Sequence, residues 1–285
     1  MTTITEDVDP MGTQPSLTPA AAYQAYYGPA IFEPLASILL SRARPSPGES
    51  VLDVACGTGI ATRRVAVSVG TTGRVVGVDV NPAMLDVARA VTSETDLTVE
   101  WQHGDGTALP LPDAAFDLVL CQQGLQFFPD RDAGAREMRR VLRVGGRAVI
   151  AVWQGLEHHP LFAALADAEL PELARFDVQA SYGDLVAPFS FGDAAVLRDL
   201  LVAAGFRQVE VVQASVVARF PDPDRFVERL EYAYAAVVPA FAEDPAAFAG
   251  YLEAVDRRTR DVVDRHRDGD HVVIPMQTNI AIARG

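Results

Sequence analysis

The sequence lacks lysine altogether, and its 24 basic residues, all arginine, face 38 acidic ones, for a formal net charge of −14. A chain this acidic repels the phosphate backbone of nucleic acid unless a local basic patch outweighs the whole. The densest basic stretch, residues 136–147, repeats arginine at helical spacing around Glu137, as on a solvated helix face. We therefore expect no nucleic-acid partner.

Cysteine and long apolar runs are also scarce. The two cysteines, Cys56 and Cys121, each lie inside an apolar run, which argues against a disulfide framework and against a thiolate metal site. We expect no bound metal. The first 18 residues contain no apolar secretory signal, and no window approaches the roughly 20 apolar residues that a membrane span needs. These absences favour a protein of the reducing cytoplasm without a membrane span.

Composition and apolar patterns divide the chain into a tail and one folded domain. Residues 1–18 mix Thr, Asp, Pro and Gly without periodicity, so we predict a disordered tail and a single domain over 19–285. Runs of Val, Leu and Ile alternate with helical patterns, which is typical of a parallel sheet covered on both faces. The prediction is an α/β, Rossmann-like, mostly parallel sheet of seven strands, at residues 50–55, 74–79, 97–103, 116–122, 147–153, 207–219 and 271–284.

The remaining patterns predict the helices and a cap over the sheet. Breaks are expected at Gly28-Pro29 and at Gly145-Gly146. The expected helices cover residues 20–27, 30–42, 59–69, 82–91, 133–142, 193–204, 222–239 and 245–267. The core takes up about 46–154, 193–219 and 271–285. A helical cap, made by the N-terminal helices and by insertions, takes up about 19–44, 155–192 and 220–270.

The most informative motif is Asp53-Val-Ala-Cys-Gly57-Thr-Gly59, at the junction of the first strand and its following helix. Glycines here let the backbone pass close to a ligand, and a helix N-terminus offers unpaired N–H groups. Nicotinamide and flavin sites share such a loop, but their fingerprint requires a third small residue where this chain has Thr62. The Asp53 carboxylate would repel a pyrophosphate and attract a ligand that carries ammonium and sulfonium groups.

A second carboxylate, Asp79, stands at the end of the second strand, 20 residues after Gly59. At about this spacing an acidic side chain accepts hydrogen bonds from the ribose hydroxyls of a bound nucleoside. A lone Asp at a strand end is usually a turn or N-cap residue, but Asn81 before Pro82 is the better N-cap here. We therefore interpret Asp79 as a ribose-binding residue.

These motifs resemble those of the class I S-adenosylmethionine-dependent methyltransferases. The resemblance covers residues 50–153 and includes VLDVACGTG, VVGVDVNPAMLDVAR and HGDGTALPLPDAAFDLVLCQQ, in order and at the right intervals. The pattern is nearest to ubiquinone and menaquinone C-methyltransferases and to natural-product methyltransferases. It implies an enzyme that takes the methyl group of S-adenosylmethionine, leaves S-adenosylhomocysteine and methylates a small organic acceptor.

The resemblance also implies roles for individual residues, grouped by the part of the cofactor that they would contact. They are, for the methionine part, Asp53, Ala55, Cys56, Gly57 and Gly59; for the ribose, Asp79; for the adenine, Val80, Met84, Gly104, Asp105, Gly106 and Thr107; and for the methyl end, Gln122 and Gln123. Two alternatives stay open. Met84 suits a helix core nearly as well, and the two glutamines suit a loop cap.

Residues outside the sheet are further candidates. In the resembling enzymes the segment before the sheet folds over the cofactor as a lid. Tyr27, together with Tyr23 and Tyr26, would then face the sulfonium through cation–π attraction, or would only anchor the helix. His158 and His159 follow the fifth strand, at the sheet edge where ligands bind, and are candidate general bases. A His-His-Pro turn that opens a helix is more often a surface cap.

The acceptor is expected to be apolar, aromatic or polyketide-like, because the cap is rich in apolar and aromatic residues. A quinol fits the resemblance, although the long insertion at 220–270 departs from the quinone enzymes. Aromatic cap helices could also pair two copies into a homodimer. Two other functions stay open: a nicotinamide-dependent oxidoreductase, although no Tyr-x-x-x-Lys set occurs, and a protein that binds S-adenosylmethionine without transferring its methyl group, such as a pericyclase or a regulator.

Overall fold

The computed structural model describes residues 18–175, 181–235 and 245–285, which form one sheet with helices on both faces. The predicted tail and the end of the predicted 222–239 helix lie outside these ranges. The strands are β1 (Ser50–Val54), β2 (Arg74–Asp79), β3 (Glu100–His103), β4 (Phe116–Gln122), β5 (Leu142–Trp153), β6 (Arg207–Pro221), β7 (Arg267–Asp268) and β8 (His271–Arg284). The α/β class and the mostly parallel sheet are confirmed. The strand count is eight in the described ranges, so the prediction of seven was wrong.

The additional strand, β7, arises because the chain reverses in a two-residue hairpin before β8. Residues 267–268 pair with 271–272, which leaves a loop that begins with Gly269. The φ of Gly269 is +61°, a backbone angle that glycine adopts without steric cost. The helix predicted over 245–267 therefore ends at Arg265.

The strand order β3-β2-β1-β4-β5-β8-β6 places a change of direction in the chain between β1 and β4. The strands from β3 to β5 on this path are parallel, whereas β8 runs antiparallel to both β5 and β6. Asp53 of β1 lies in register between Gly77 of β2 and Leu120 of β4. Ligands of open parallel sheets bind at the carboxyl ends of strands, at such a switch point.

The helices begin mostly at the caps that the sequence indicates. They are α1 (Pro19–Tyr27), α2 (Glu33–Ala43), α3 (Ile60–Val69), α4 (Pro82–Ser93), α5 (Arg131–Val141), α6 (Pro160–Arg175), α7 (Tyr182–Leu185), α8 (Ala194–Ala203), α9 (Phe226–Ala235) and α10 (Pro245–Arg265). Asn81 accepts a hydrogen bond from the N–H of Ala83 at 3.0 Å and so caps α4. Asp193 caps α8 in the same way.

Two predicted breaks have a different form in the structure. Gly28-Pro29 starts a π-helical turn, Gly28–Phe32, that joins α1 to α2 without leaving a helical path. A proline ring clashes with the carbonyl four residues before it, and a wider turn relieves that clash. Gly145-Gly146 lies inside β5, which begins at Leu142 and is irregularly paired with β4 near that point.

Apolar residues cover both faces of the sheet. On one face, α2 and α3 pack against Val51 and Leu118, and on the other, α5 and α8 pack against Leu52 and Val119. Side chains alternate between the faces along a strand, so continuous apolar runs are buried on both. No helix in the described ranges is both long and apolar enough to cross a bilayer.

A third apolar cluster lies between the cap helices and the end of the β6–β8 ladder. It includes Leu165 of α6, Phe226 of α9 and Val255 of α10. Tyr26 of α1 points into this cluster, with its ring 5.1 Å from that of Phe220 on β6. The N-terminal helix and the two later insertions therefore pack together on one end of the sheet. The division into one domain with a tail and a cap stays a prediction.

Candidate functional site

The candidate site lies at the carboxyl ends of β1, β2 and β4. Ala55 after β1 and Gln123 after β4 both have a φ of +55°, in the left-handed region that residues with a Cβ rarely adopt. Such backbone outliers cluster at ligand sites, where the surrounding structure holds them in place. The two loops are also in close contact, because a Cβ on Gly124 would lie 2.5 Å from the Cβ of Ala55.

Asp53 is a buried carboxyl group at the end of β1. Only 1% of its surface is exposed, and it accepts a hydrogen bond from the Thr62 hydroxyl at 2.5 Å. The pKa of Asp53 is raised from its ordinary value of 3.8 to about 7, mainly by burial, with the Thr62 hydrogen bond opposing the shift and the negative charge of Asp79 contributing to it. Thr62, which supplies this hydroxyl, is the residue that distinguishes the loop from a dinucleotide fingerprint.

Asp79 is the second buried carboxyl group, at the end of β2. Its oxygens accept hydrogen bonds from the N–H of Gly57 at 2.7 Å and from the N–H of Asn81 at 2.8 Å. Burial raises its pKa, and these bonds partly offset the shift. Neither carboxyl group forms an ion pair within the part of the chain that the structure describes. A ligand that carries positive charge would therefore be attracted to this pair.

The glycine loop between these carboxyl groups has no room for a side chain at Gly59, whereas a Cβ on Gly57 would meet no atom within 4 Å. Gly57 and Gly59 have φ values of +55° and +80°. A Cβ on Gly59 would lie 2.2 Å from the ring of Trp101 on β3. The N–H of Cys56 donates to the carbonyl of Val78, which ties the loop to β2. Trp101 is a site residue that the sequence interpretation missed, because nothing local connects β3 to a loop more than 40 residues away.

Two apolar side chains stand next to Asp79. Val80 is 65% exposed at the end of β2. Met84 is only half-buried, whereas Leu85, Ala88 and Thr92 are the residues that α4 buries. Both side chains therefore keep surface that a ligand could contact, and the alternative in which Met84 belongs to the helix core stays open.

The loop after β3 extends the same edge. The N–H of Gly104 donates to the last carbonyl of β2 at 3.1 Å. The exposed Asp105 accepts a hydrogen bond from the Thr107 N–H at 2.8 Å, and this bond lowers its pKa. A Cβ on Gly106 would lie 2.4 Å from the ring of Phe128. The loop is thus a tight turn, with one carboxylate facing solvent beside the site.

The two glutamines after β4 have separate environments. The Gln122 amide donates to the carbonyl of Phe32 at 3.3 Å, while its buried Oε1 has no partner among the described residues. The Gln123 amide donates to the Thr278 hydroxyl at 3.0 Å, and its oxygen accepts from Gln126 at 3.1 Å. Gln123 is therefore anchored to β8, and Gln122 keeps one free acceptor.

An aromatic stack from α1 and the π-helical turn covers this edge. The Tyr23 ring lies 5.4 Å from that of Tyr27 and 5.0 Å from that of Phe32. Burial raises the pKa of Tyr23, and the nearby charge of Asp79 adds to the shift. The Tyr27 hydroxyl donates to the carbonyl of Leu230 on α9 at 3.0 Å. The structure thus brings Tyr23 close to Asp79, and Tyr27 links the stack to the cap.

The two histidines lie apart from the carboxyl pair. The His158 side chain is 48% exposed, and its Nε2 lies 3.6 Å from the carboxylate of Glu157. His159 is fully buried, with its ring 4.5 Å from that of Phe189 and next to Trp153. Burial lowers the pKa of His159 to about 4. A general-base role for either histidine stays a prediction, and neither one lines the cavity described next.

A cavity of about 250 Å³ adjoins the aromatic stack and extends under the cap. Its aromatic walls are Tyr23, Tyr27, Phe32, Phe127, Trp153, Phe162 and Phe189. Few polar side chains reach it. They include Gln123 on the sheet side and two buried carboxyl groups, Glu169 of α6 and Glu231 of α9, on the cap side. An apolar pocket with a few convergent polar groups is the usual form of a small-molecule site.

The carboxyl pair of the cap was not among the predicted site residues, although the sequence contains a signal for it. Glu169 follows the buried Leu165 by four residues, and Glu231 follows the buried Val227 by four. Each glutamate thus occupies the apolar stripe of its helix, where a charged residue is unusual. Their meeting across two helices is a long-range contact that no local pattern encodes.

Comparison with known proteins agrees with this geometry. Residues 51–146 match a family model described as a methyltransferase domain. The 2-phytyl-1,4-naphtoquinone methyltransferase of Synechococcus elongatus is 34% identical over 175 residues, 58% of this chain and 73% of that protein. A ubiquinone/menaquinone biosynthesis C-methyltransferase of a Shewanella species is 33% identical over 183 residues, 61% of this chain and 72% of that protein. The chain belongs to the class I S-adenosylmethionine-dependent methyltransferases.

Membership of this family establishes the class of reaction. The methyltransferase uses S-adenosylmethionine as its methyl donor and acts on a small-molecule acceptor. The crystal structure of the YcgJ protein of Bacillus subtilis shares its fold with a TM-score of 0.55 and 17% identity, over 87% of this chain and 97% of that one. These relatives do not favour the oxidoreductase or the protein that binds the cofactor without transfer.

Proposed function

We propose that the methyltransferase binds S-adenosylmethionine across the carboxyl ends of β1 and β2 and methylates an apolar or aromatic acceptor in the adjoining cavity, leaving S-adenosylhomocysteine. The observation that carries the proposal is the pair of buried carboxyl groups, Asp53 and Asp79, without a cationic partner among the described residues. Burying uncompensated carboxylates costs stability, and a cationic ligand offsets that cost.

The residues present fit this donor. In the proposal, Asp53 faces the cationic methionine end and Asp79 faces the ribose, with the glycine loop passing beneath both. Trp101 leaves no room for a Cβ at Gly59, so the loop is packed closely against β3 at this point. Val80 and Met84 would contact the adenine, since both have accessible apolar surface at the end of β2.

Bound S-adenosylmethionine supplies an electrophilic methyl group, and the chain supplies alignment and exclusion of water. Positioning alone can provide effective molarities of about 10⁵–10⁸ M. Tyr23 and Phe32 would cover the methyl end, and cation–π attraction from such rings is worth roughly 1–2 kcal/mol when desolvated. The free Oε1 of Gln122 would accept a hydrogen bond from a ligand there.

We propose an acceptor of quinol or phenol type. The relatives from Synechococcus and Shewanella are named for naphthoquinone and for ubiquinone and menaquinone biosynthesis. An aromatic cavity that adjoins the donor site on one side and the cap on the other suits a ring of this kind. The cap at 220–270 would then select among such rings.

The proposal is tested in two steps. Calorimetric titration with S-adenosylmethionine, and with NADH as the control ligand, should show binding of the former only. S-adenosylhomocysteine release should then be measured over a panel of phenols, quinols and aliphatic alcohols. Release with aromatic acceptors supports the proposal, whereas binding without release over the whole panel, or release only with aliphatic acceptors, contradicts the proposed acceptor class.

A further inference from the structure

We propose that Glu169 and Glu231 form the polar end of the acceptor cavity and bind a hydrogen-bond-donating group of the acceptor, a hydroxyl or an ammonium. The inference rests on the proposed function, because it assigns the cap side of the same site. It concerns which acceptors bind there, and it is independent of how S-adenosylmethionine is held.

The two carboxyl groups are neighbours inside the protein. They are 8% and 3% exposed, and both line the same cavity from different helices. They form a hydrogen bond with each other, which requires that they share a proton. Burial raises the pKa of both, and mutual repulsion adds to the shift at Glu231. The Tyr251 hydroxyl of α10 donates to Glu231 at 3.0 Å.

A third buried glutamate shows how the same helix treats a carboxylate with a structural role. Glu172 of α6 is also only 3% exposed, but its oxygens lie 2.5 Å from Arg175 and 3.2 Å from Arg258. Within the described ranges, no arginine forms an ion pair with Glu169 or Glu231. The fold thus provides cations for the glutamate outside the cavity and none for the pair inside it.

Stability does not account for the cavity pair. A buried ionic or polar pair is commonly no more stable than apolar residues of similar volume. The nearby lining residues Trp153, Phe162 and Leu165 are apolar, so an apolar pair would continue the wall. A carboxyl pair with free lone pairs in an otherwise apolar cavity is suited to fix the orientation of a ligand through one donor.

The pair also distinguishes two kinds of donor group. A neutral hydroxyl donates to the ionised carboxylate while the two glutamates keep their shared proton. An ammonium additionally compensates the negative charge of the pair, and the aromatic walls add cation–π attraction. Both groups are favoured over an apolar group of the same size, which leaves the carboxylate without a donor.

The test uses three probes with the same ring and chain length: 2-phenylethanol, 2-phenylethylamine and propylbenzene. Each is titrated by ligand-observed NMR into the protein saturated with S-adenosylhomocysteine. We expect at least one of the two donor probes to bind about tenfold more tightly than propylbenzene. Which of them binds more tightly identifies the donor group. Equal binding of all three probes would overturn the inference.

Variants assign the preference to the pair. E169M/E231M replaces both carboxyl groups with apolar side chains of similar shape and should remove the preference for either donor. E231Q should keep binding of the hydroxyl probe and weaken binding of the ammonium probe, and it serves if the double variant does not fold. E172Q, on the same helix but outside the cavity, is the matched control and should keep the preferences of the unmodified protein.

Calorimetry with S-adenosylmethionine separates the two proposals. If the variants bind it with unchanged affinity and lose the donor preference, the assignment of the pair stands. If the donor preference persists in E169M/E231M, the assignment fails while the proposed function is unaffected. Loss of cofactor binding in the unmodified protein would instead refute the proposed function.

Discussion

At the scale of single residues, the site depends on carboxyl groups that cost stability in the free protein. Asp53 is buried with one hydroxyl partner, and its pKa rises from 3.8 to about 7. Between these two pH values the folded protein holds a proton that the unfolded chain has released. Stability is therefore lost as the pH rises toward 7, and the ionised group above pH 7 is held at a cost. Under the proposed function, cofactor binding and stability make opposite demands on this residue.

Replacing this carboxyl group should separate the two demands. We expect Asp53→Asn to weaken S-adenosylmethionine binding by about tenfold or more, because a charge-assisted contact is lost. At pH 8 it should raise the free energy of unfolding of the ligand-free protein, by on the order of 1–3 kcal/mol. Calorimetric titration and urea denaturation measure the two effects.

Asp86→Asn on the exposed surface of α4 is the control for this substitution, since that carboxylate forms only an exposed ion pair with Arg89. It should leave both affinity and stability unchanged. Unaltered cofactor affinity in Asp53→Asn would contradict the assigned role.

The pH dependence of cofactor binding follows from the same group. A cationic ligand favours the ionised carboxyl, so affinity for S-adenosylmethionine should rise from pH 5.5 to 7 and level off above the pKa of about 7. In Asp53→Asn, affinity should depend less on pH, and the remaining dependence should come from ionisation of Asp79. Titrations at half-unit steps of pH test this, and a falling affinity over the range would be inconsistent with the assignment.

A steric prediction concerns Gly59. Gly59→Ala should abolish cofactor binding and destabilise the protein, because its Cβ would lie 2.2 Å from Trp101 at a φ of +80°. The matched control is Gly205→Ala, which also has a positive φ, +92°, but meets only one atom, at 4.0 Å. The control should cost about 1 kcal/mol of stability from backbone strain alone and keep binding.

If both alanine variants bind the cofactor equally, the close approach at Gly59 has no functional role. Thermal unfolding of each variant shows whether a loss of binding is only a loss of folded protein.

The residues that the sequence predicted are those set by local geometry. Asp53 and Asp79 end consecutive strands on either side of a glycine loop, and the alternation of strands and helices places them at one sheet edge. Trp101 and the cap glutamates, which the sequence interpretation missed, depend on how distant segments pack. A single sequence shows the apolar periodicity of these segments, but it does not show which helices contact each other.

At the scale of elements, two tyrosine side chains of α1 contact different parts of the protein. Tyr23 faces the Asp79 side of the site, whereas Tyr26 packs on Phe220 in the cap cluster. Three positions turn an α-helix by about 300°, so the two side chains start only about 60° apart, and their rings reach different neighbours from adjoining sides of α1. The sequence interpretation named the tyrosines together because spacing alone does not show which of them a ligand contacts.

The two tyrosines can be tested by matched substitutions. Tyr23→Leu should weaken S-adenosylmethionine binding by about tenfold through lost cation–π attraction, with little effect on stability. Tyr26→Leu should lower the free energy of unfolding by about 1–3 kcal/mol and leave the affinity of the folded protein unchanged. The reverse pattern in calorimetry and denaturation would show that the two tyrosines are assigned wrongly.

The element boundaries that differed from prediction also have local causes. The Gly28-Pro29 pair reads as a break, yet packing of the cap holds it in a π-helical turn that points Phe32 toward Tyr23. The helix predicted over 245–267 extends past its observed end at Arg265 and so includes Arg267, the first residue of β7. Near this point Gly269 favours a turn, whereas the preceding apolar periodicity favours a longer helix. Pairing of β7 with β8 determines that the chain forms the hairpin.

At the scale of the whole molecule, negative charge and the cap determine which partners are expected. The net charge of −14 supports the prediction that nucleic acid is not a substrate. The predicted homodimer stays a prediction. Two aromatic residues of the cap, Phe189 and Phe226, are buried inside it, which leaves less aromatic surface for pairing.

The position of β8 has a consequence for synthesis of the protein on the ribosome. In the sheet, β8 lies between β5 and β6. In the chain, β5 and β6 are synthesised first, then α9 and α10, and only then β8. Until residues 271–284 leave the exit tunnel, β5 and β6 present open edges that can pair with other nascent chains. Completion of the sheet must therefore wait until translation has passed β8, and the edges of β5 and β6 that β8 will cover stay unpaired during that interval.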